Sequence, residues 1–315
     1  MENMNYERLH KIFMRTKRSA VVILSLFFVA AVIWLYIPVK YATADVTDCY
    51  TVCEEDGYYS ETTYFLTEEA YTDIGNASAD SSDGEEFVSA TRKRVWVCEF
   101  YSEADETTES QLLSKSEVDE IESEADGVAA AASTLVGSDS ESFYYLDIDM
   151  AVYYNTGSET YSVTGNASWQ KVWTWNSMKA AEEDICDYIG ITWGGAGTLC
   201  ATSKSISGYY YNSKAVSFSR KISDSYAGYV WQFNEKSGYL GKELESATAN
   251  VTLEKDGDLL GKTTNVKMTY IHTYSDFSGS VSLSADSDGT AAASVSLSQS
   301  TDSWQIEIDV AGISY

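Results

Sequence analysis

The stretch Ser19–Pro38, SAVVILSLFFVAAVIWLYIP, constrains this chain more than any other feature. It is an unbroken apolar run behind a basic stub. A bilayer-spanning helix takes roughly 20 apolar residues, and this run supplies them. Arg8, Lys11, Arg15, Lys17 and Arg18 precede it, opposed only by Glu2 and Glu7. Positive charge ahead of an apolar segment stays in the cytoplasm, so the sequence predicts export of everything after Pro38. Just beyond the proline, Ala42-Thr43-Ala44 is a small-x-small pattern, which predicts cleavage between Ala44 and Asp45. A cleaved apolar region is usually about 7–15 residues, so the competing reading is an uncleaved signal anchor. Residues 1–44 are thus a signal peptide or signal anchor, with the membrane as partner through 19–38 if uncleaved. Either way the C-terminal part lies outside the plasma membrane, secreted or surface-anchored.

Charge narrows the partners. The whole chain carries a formal −27. The leader is basic, so the exported part is more negative still. Such a surface repels phosphate backbones, which excludes nucleic acid as a partner. It suits solubility, or calcium held by weak individual ligands. Pro38 is the only proline and His272 the only histidine after the leader. Turns must therefore come from Gly, Asn, Asp and Ser. Most Ser-His-Asp, Cys-His and histidine–metal chemistry is removed.

The five cysteines are Cys49, Cys53, Cys98, Cys186 and Cys200. Cys186 and Cys200 flank a short turn-containing stretch, and the sequence predicts a disulfide between them. Cys49 or Cys53 would then bridge to Cys98, leaving one thiol free or paired between chains. A zinc site beside Cys49 and Cys53 lacks a fourth close ligand.

Residues 45–137 read as an acidic N-terminal region with short strands and one amphipathic helix. Strands are expected at Thr62–Leu66 and Phe87–Cys98. The loop Asn76–Glu86 between them offers Asp80, Asp83 and Glu85 without the full spacing of a calcium loop. Glu99–Asp126 is a run of acids against Lys115 alone. Within it Val118, Ile121, Ala125, Val128, Ala132 and Leu135 recur at spacings of three and four, which predicts a helix over 116–136. Ser116 with Asp119 marks its start and Gly137 its stop.

Residues 138–315 read as a β domain. Strands rich in aromatic and β-branched residues are expected at Phe143–Tyr154, Tyr161–Trp175, Ile189–Trp193, Ser205–Tyr211, Ala215–Lys221, Gly228–Asn234, Ala247–Glu254, Asn265–Tyr274 and Trp304–Val310. Ser177–Ile185 reads as a short helix. A turn at Asp256-Gly257 would set Leu253 opposite Leu260. Ser280–Ser284 and Ser294–Ser298 both read SVSLS. A three-residue loop, Ser287–Gly289, would pair Val281 with Val295. Regularly alternating helices are absent, so a parallel sheet is excluded. The predicted fold is mainly β: an antiparallel β-sandwich or jelly-roll-like domain with one or two helices, behind the N-terminal signal or anchor helix.

Two groups of residues bear on chemistry. Asp147 and Asp149, and Glu307 and Asp309, are acidic pairs two apart on predicted strands, hence on one face and about 7 Å apart. On neighbouring strands they would bind calcium or act as acid and base on a glycosidic bond. The alternative is the wet face of an amphipathic strand. Trp169, Trp173 and Trp175 share parity and would line one face of an uninterrupted strand. That face is either a sugar-stacking platform or sandwich core. Asn76, Asn166 and Asn250 open glycosylation sequons.

The leader and the proline-free, Tyr- and Ser-rich strands have the general character of secreted bacterial proteins. The first functional reading is an exported, non-enzymatic protein acting in binding or interaction with a glycan, a cation-bridged surface or another protein. The second is a pore-forming or bacteriocin-like toxin using the Ser-Val-Ser-Leu-Ser hairpin, whose strands fall short of the roughly 9–11 residues a membrane strand takes. The third is a glycoside-active enzyme using a carboxylate pair.

Overall fold

A computed structural model describes residues 48–73, 84–102, 107–125, 140–175, 186–194, 199–234, 244–256, 263–274, 280–284, 294–297 and 303–314. Ser19–Pro38, the Ala44–Asp45 site, Asp80 and Asp83, the Ser177–Ile185 helix and Leu260 lie outside the described residues. Among the described residues no helix is long and apolar enough to cross a membrane.

The described strands are β1 (Cys49–Glu55), β2 (Tyr59–Phe65), β3 (Glu85–Ser102), β4 (Thr107–Leu112), β5 (Ser140–Asn155), β6 (Thr160–Trp175), β7 (Cys186–Trp193), β8 (Leu199–Tyr210), β9 (Phe218–Asp224), β10 (Gly228–Asn234), β11 (Leu244–Lys255), β12 (Thr263–Thr273), β13 (Val281–Ser284), β14 (Ser294–Leu297) and β15 (Ser303–Ser314). The helices are α1 (Glu68–Asp73) and α2 (Lys115–Ala125). All pairings are antiparallel. The larger sheet runs β1-β2-β3-β5-β6-β11-β8, with β4 beside β2 on the same edge of β3; the smaller runs β15-β12-β7-β10-β9. The larger sheet is continuous across residue 137, because β3 pairs with β5 from Glu85↔Asn155 to Tyr101↔Ser140.

Strict alternation builds the core. Val95, Val97, Leu146, Ile148, Met150, Val163 and Trp169 on the larger sheet meet Ile189, Ile191, Trp193, Met268, Tyr270, Ile306 and Ile308 on the smaller. Gly165 lets the sheets close: a Cβ there would lie 2.8 Å from Met268 Sδ. The outer faces are also covered. Tyr71 of α1 packs with Phe65, Ala90, Ala151 and Tyr153. Val118 of α2 packs with Tyr59, Leu113, Cys98 and Phe143. On the smaller sheet the β13–β14 hairpin sets Val281, Leu283 and Val295 against Tyr188, Val230, Ile271 and Ile222.

Three sequence expectations are corrected here. The hairpin pairs Val281 with Leu297 and Leu283 with Val295, two residues from the expected register. The alternation of faces survives a shift of two. Docking sets the ladder, since Val295 occupies the space over Gly190, where a Cβ would come 2.9 Å from Val295 Cγ2. Leu253 stands between Tyr161 and Ala201, so both its edges are taken. The chain passes from one sheet to the other after β11 instead of turning back on it. The amphipathic helix is described as α2 alone, and its start is Ser114, not Ser116. The Ser114 N–H and hydroxyl both donate to Glu117 Oε2, at 2.7 and 2.6 Å, and Val118 N donates to Ser114 C=O. That is the Ser-x-x-Glu capping box, one position more favourable than Ser-x-x-Asp because Glu reaches back to the cap.

Candidate functional site

The larger sheet is wider than the smaller one. The smaller sheet ends at β15, which packs over β3 and β5, so β2 and β1 project beyond it. The overhang leaves a cleft of about 400 Å³ between the inner face of β1–β2–β3 and the free side of β15. Tyr50, Glu54, Thr62 and Tyr64 form its floor, Thr91 and Lys93 its inner wall, and Glu307 and Asp309 its rim. The Tyr50 and Tyr64 rings stack at 5.0 Å between centroids, and Tyr50 remains 53% exposed. Leu66 beside them is exposed too. Thr91 Oγ1 donates to the Asp309 C=O at 3.1 Å, so that carbonyl is turned away from β12. By the alternation of an antiparallel ladder, Glu307 and Gln305 also present backbone groups to that side.

The cleft is acidic. Lys93 is held by Glu54 at 3.8 Å and lies over the Tyr58 ring. Glu307 is held by Lys267 at 2.9 Å and by Thr269 at 3.3 Å. Asp309 makes no ion pair among the described residues. Its carboxyl is raised above the ordinary value by partial burial, with Lys267 opposing and the Glu307 charge adding to the rise. The Tyr64 phenol is raised by burial and then by Glu54, Tyr50 and Asp309, which places β2 and β15 in one electrostatic neighbourhood.

The acidic pairs of the sequence analysis are not brought together. Asp147 and Asp149 lie on β5, on the outer face of the larger sheet; Glu307 and Asp309 lie on β15, in the smaller sheet. Nor is the β5 face wet: Asp147 is 1% and Asp149 0% exposed. Arg94 grips Asp147 with two bonds of 2.7 and 2.8 Å, its guanidinium 4.1 Å from the Tyr145 ring centre. Asp149 Oδ1 accepts Tyr71 OH at 2.5 Å and Asn166 Nδ2 at 3.0 Å, while Oδ2 has no partner among the described residues. Burial raises the Asp149 carboxyl, against those two donors and Arg92. Asn166 is thereby engaged, and Asn250 accepts from Thr164. Among the described residues no group of acids, cysteines and histidine is placed to hold a metal ion.

Of the three tryptophans, the side chain of Trp169 alone is described. Trp169 is buried in the core, donating to Tyr270 OH at 3.0 Å. A bulge after Lys171 pairs Trp173 with Phe143 while Lys171 pairs with Tyr144. The side chains of Trp173 and Trp175 lie outside the described residues. No disulfide is seen among the described residues. The expected Cys186–Cys200 bond fails on geometry. Trp193, at the far end of β7, is the residue that touches Leu199, through Nε1 to the carbonyl at 3.2 Å. Cys186 is seven strand residues away, about 23 Å, against the 4.4–6.8 Å a disulfide allows.

Sequence reasoning missed the surroundings of His272. Its Nδ1 lies 3.2 Å from Asp187 Oδ2 and its Nε2 3.7 Å from Glu99 Oε1. Asp187 also accepts Tyr270 OH at 2.5 Å and the Thr273 N–H at 3.0 Å. The side chains of His272, Asp187 and Glu99 are at most 2% exposed. They form an internal network tying β3, β7 and β12, closed to a substrate. The signal available was parity: Asp187 is in phase with Ile189 and Ile191, and Glu99 with Val95 and Val97.

No protein-family model matches this sequence, and no curated protein matches it. Among solved structures, one described under pH-induced modulation of Streptococcus parasanguinis adhesion by Fap1 fimbriae is similar at 17% identity, over 53% of this chain and 80% of that one, with a TM-score of 0.26.

Proposed function

We propose that this chain is an exported, non-enzymatic binding protein, and that the cleft beside β15 takes an extended polypeptide segment of a protein partner. The observation that carries this reading is the overhang of β1–β2 past an edge strand with no strand partner on its outer side among the described residues. A peptide laid there adds a strand to the smaller sheet. Its backbone meets Gln305, Glu307 and Asp309, and alternate side chains meet Tyr50 and Tyr64. Asp309 favours a basic side chain at the rim. The basic leader and apolar run ahead of the β domain support export. The buried, hydrogen-bonded state of Asp147 and Asp149 counts against an acid–base pair on β5.

Paired arrays of ten-residue peptides and of glycans test this. The protein should retain peptides alternating apolar and basic residues. Tyr50→Ala or N-methylation of alternate peptide amides should weaken retention at least tenfold. Retention of glycans alone would replace the peptide with a sugar stacked on Tyr50. Peptide binding indifferent to both changes would remove the cleft from the function.

A further inference from the structure

The outer edge of the larger sheet is β1, and all seven of its residues are exposed. Its far side has no strand partner among the described residues. Leu66 N donates to the Asp48 C=O at 2.8 Å, so the even-numbered residues of this ladder turn their backbone groups toward β2. By alternation, Cys49, Thr51, Cys53 and Glu55 turn theirs to the open side. Cys49 and Cys53 are also exposed free thiols, on one face of the strand. Four positions separate them, about 13 Å of strand, so they cannot bridge within one chain.

They are, however, symmetric about Thr51. We propose that two copies of this chain pair edge to edge through β1, antiparallel, with Thr51 on the two-fold axis and two interchain disulfides joining Cys49 to Cys53 of the partner subunit and the reverse. A strand pair related by such an axis keeps the same face on the same side, so the sulfurs meet. The hydrogen-bonded pair of an antiparallel ladder sets Cα atoms about 5.5 Å apart, at the commonest disulfide separation. Seven edge residues bury on the order of a few hundred Å², well short of the roughly 1,200 Å² of a stable interface. Glu54 would also face Asp48 of the partner subunit, and like charges directly opposite are unfavourable. The covalent bonds therefore hold the dimer, and it exists only when oxidised. Each bond forms by thiolate attack on an external disulfide such as oxidised glutathione, giving a mixed disulfide and one glutathione thiolate. The thiolate of the second chain then displaces the other, for two protons and two electrons lost per bond. In the host this relies on the export proposed above; the geometry does not. The dimer joins the floors of two clefts, Tyr50 and Val52 of each copy meeting at the centre.

The chain expressed from Met1, purified in the form its host leaves it, is reduced and then incubated with oxidised glutathione. Intact mass, non-reducing electrophoresis and peptide mapping are the readouts. The expected product is a dimer linked only between Cys49 and Cys53 and returned to monomer by dithiothreitol. Cys49→Ser alone and Cys53→Ser alone should give no linked dimer, while their equimolar mixture should give a dimer with one bond. A linked dimer from either single variant, failure of the mixture to link, bonds to Cys98, Cys186 or Cys200, or monomer throughout would each overturn the proposal. Fractionation of the host reads export separately.

Discussion

Asp149 shows how a residue's surroundings reverse its reading. In sequence it alternates with Leu146, Ile148 and Met150 and looks like the wet side of a strand. In the structure α1 lays Tyr71 over it, so the strand is buried on both faces. Alternation reports which residues face together, not whether a second layer covers the other face. The consequence is a pH dependence. Burial holds the Asp149 carboxyl above its ordinary 3.8. Stability tied to the protonated form is present below that ordinary value and is lost as pH rises through the higher native one. Asp149→Asn stays neutral throughout. Its melting temperature relative to the parent should therefore rise by a few degrees from pH 4 upward and level off above the native value. A difference flat with pH, followed by circular dichroism, would contradict this. Trp169 takes the core place that the sequence left open beside a ligand platform, and its burial does not show as a pattern in the residues.

Among the elements, the long strands were legible, and their ends were not. β3, β5 and β6 carry aromatic and β-branched runs that fix their type from sequence. β1 and β4 carry few such residues and exist because β2 and β3 offer edges to pair with. α1 is six residues long, too short for a period, and its place is fixed by Tyr71. The Ser-Val-Ser-Leu-Ser hairpin was legible as alternation, while its role was not, since a docked lid and a membrane-inserting hairpin share that pattern. Here Val295 is buried at 1% exposure against Gly190, Tyr188 and Ile271. Val295→Asp should undock the hairpin and uncover Val230 and Ile271. The expected readout is new binding of an apolar dye and faster cleavage between residues 280 and 300, with little change in far-ultraviolet dichroism. Unchanged dye binding and cleavage would mean that the hairpin contributes nothing to covering that face.

At the scale of the molecule, the sandwich class was legible and the division of strands between sheets was not. Adjacent segments often pair, yet β11 and β12 part into different sheets, and β15 returns to lie over β3. Thr91 and Asp309, joined by a hydrogen bond, are 218 residues apart in the chain. β15 also supplies Ile306, Ile308, Val310 and Ile313 to the core. Removing residues 303–315 should leave a chain without a cooperative unfolding transition, whereas a sharp transition would show that the core closes without β15. In folding, the contacts of this strand are slow to form, because the long stretch between Thr91 and Asp309 must be ordered before they hold. Until β15 docks, the faces of β3 and β5 that it covers have nothing to close on. The long return that seals the sandwich therefore sets the pace at which it closes.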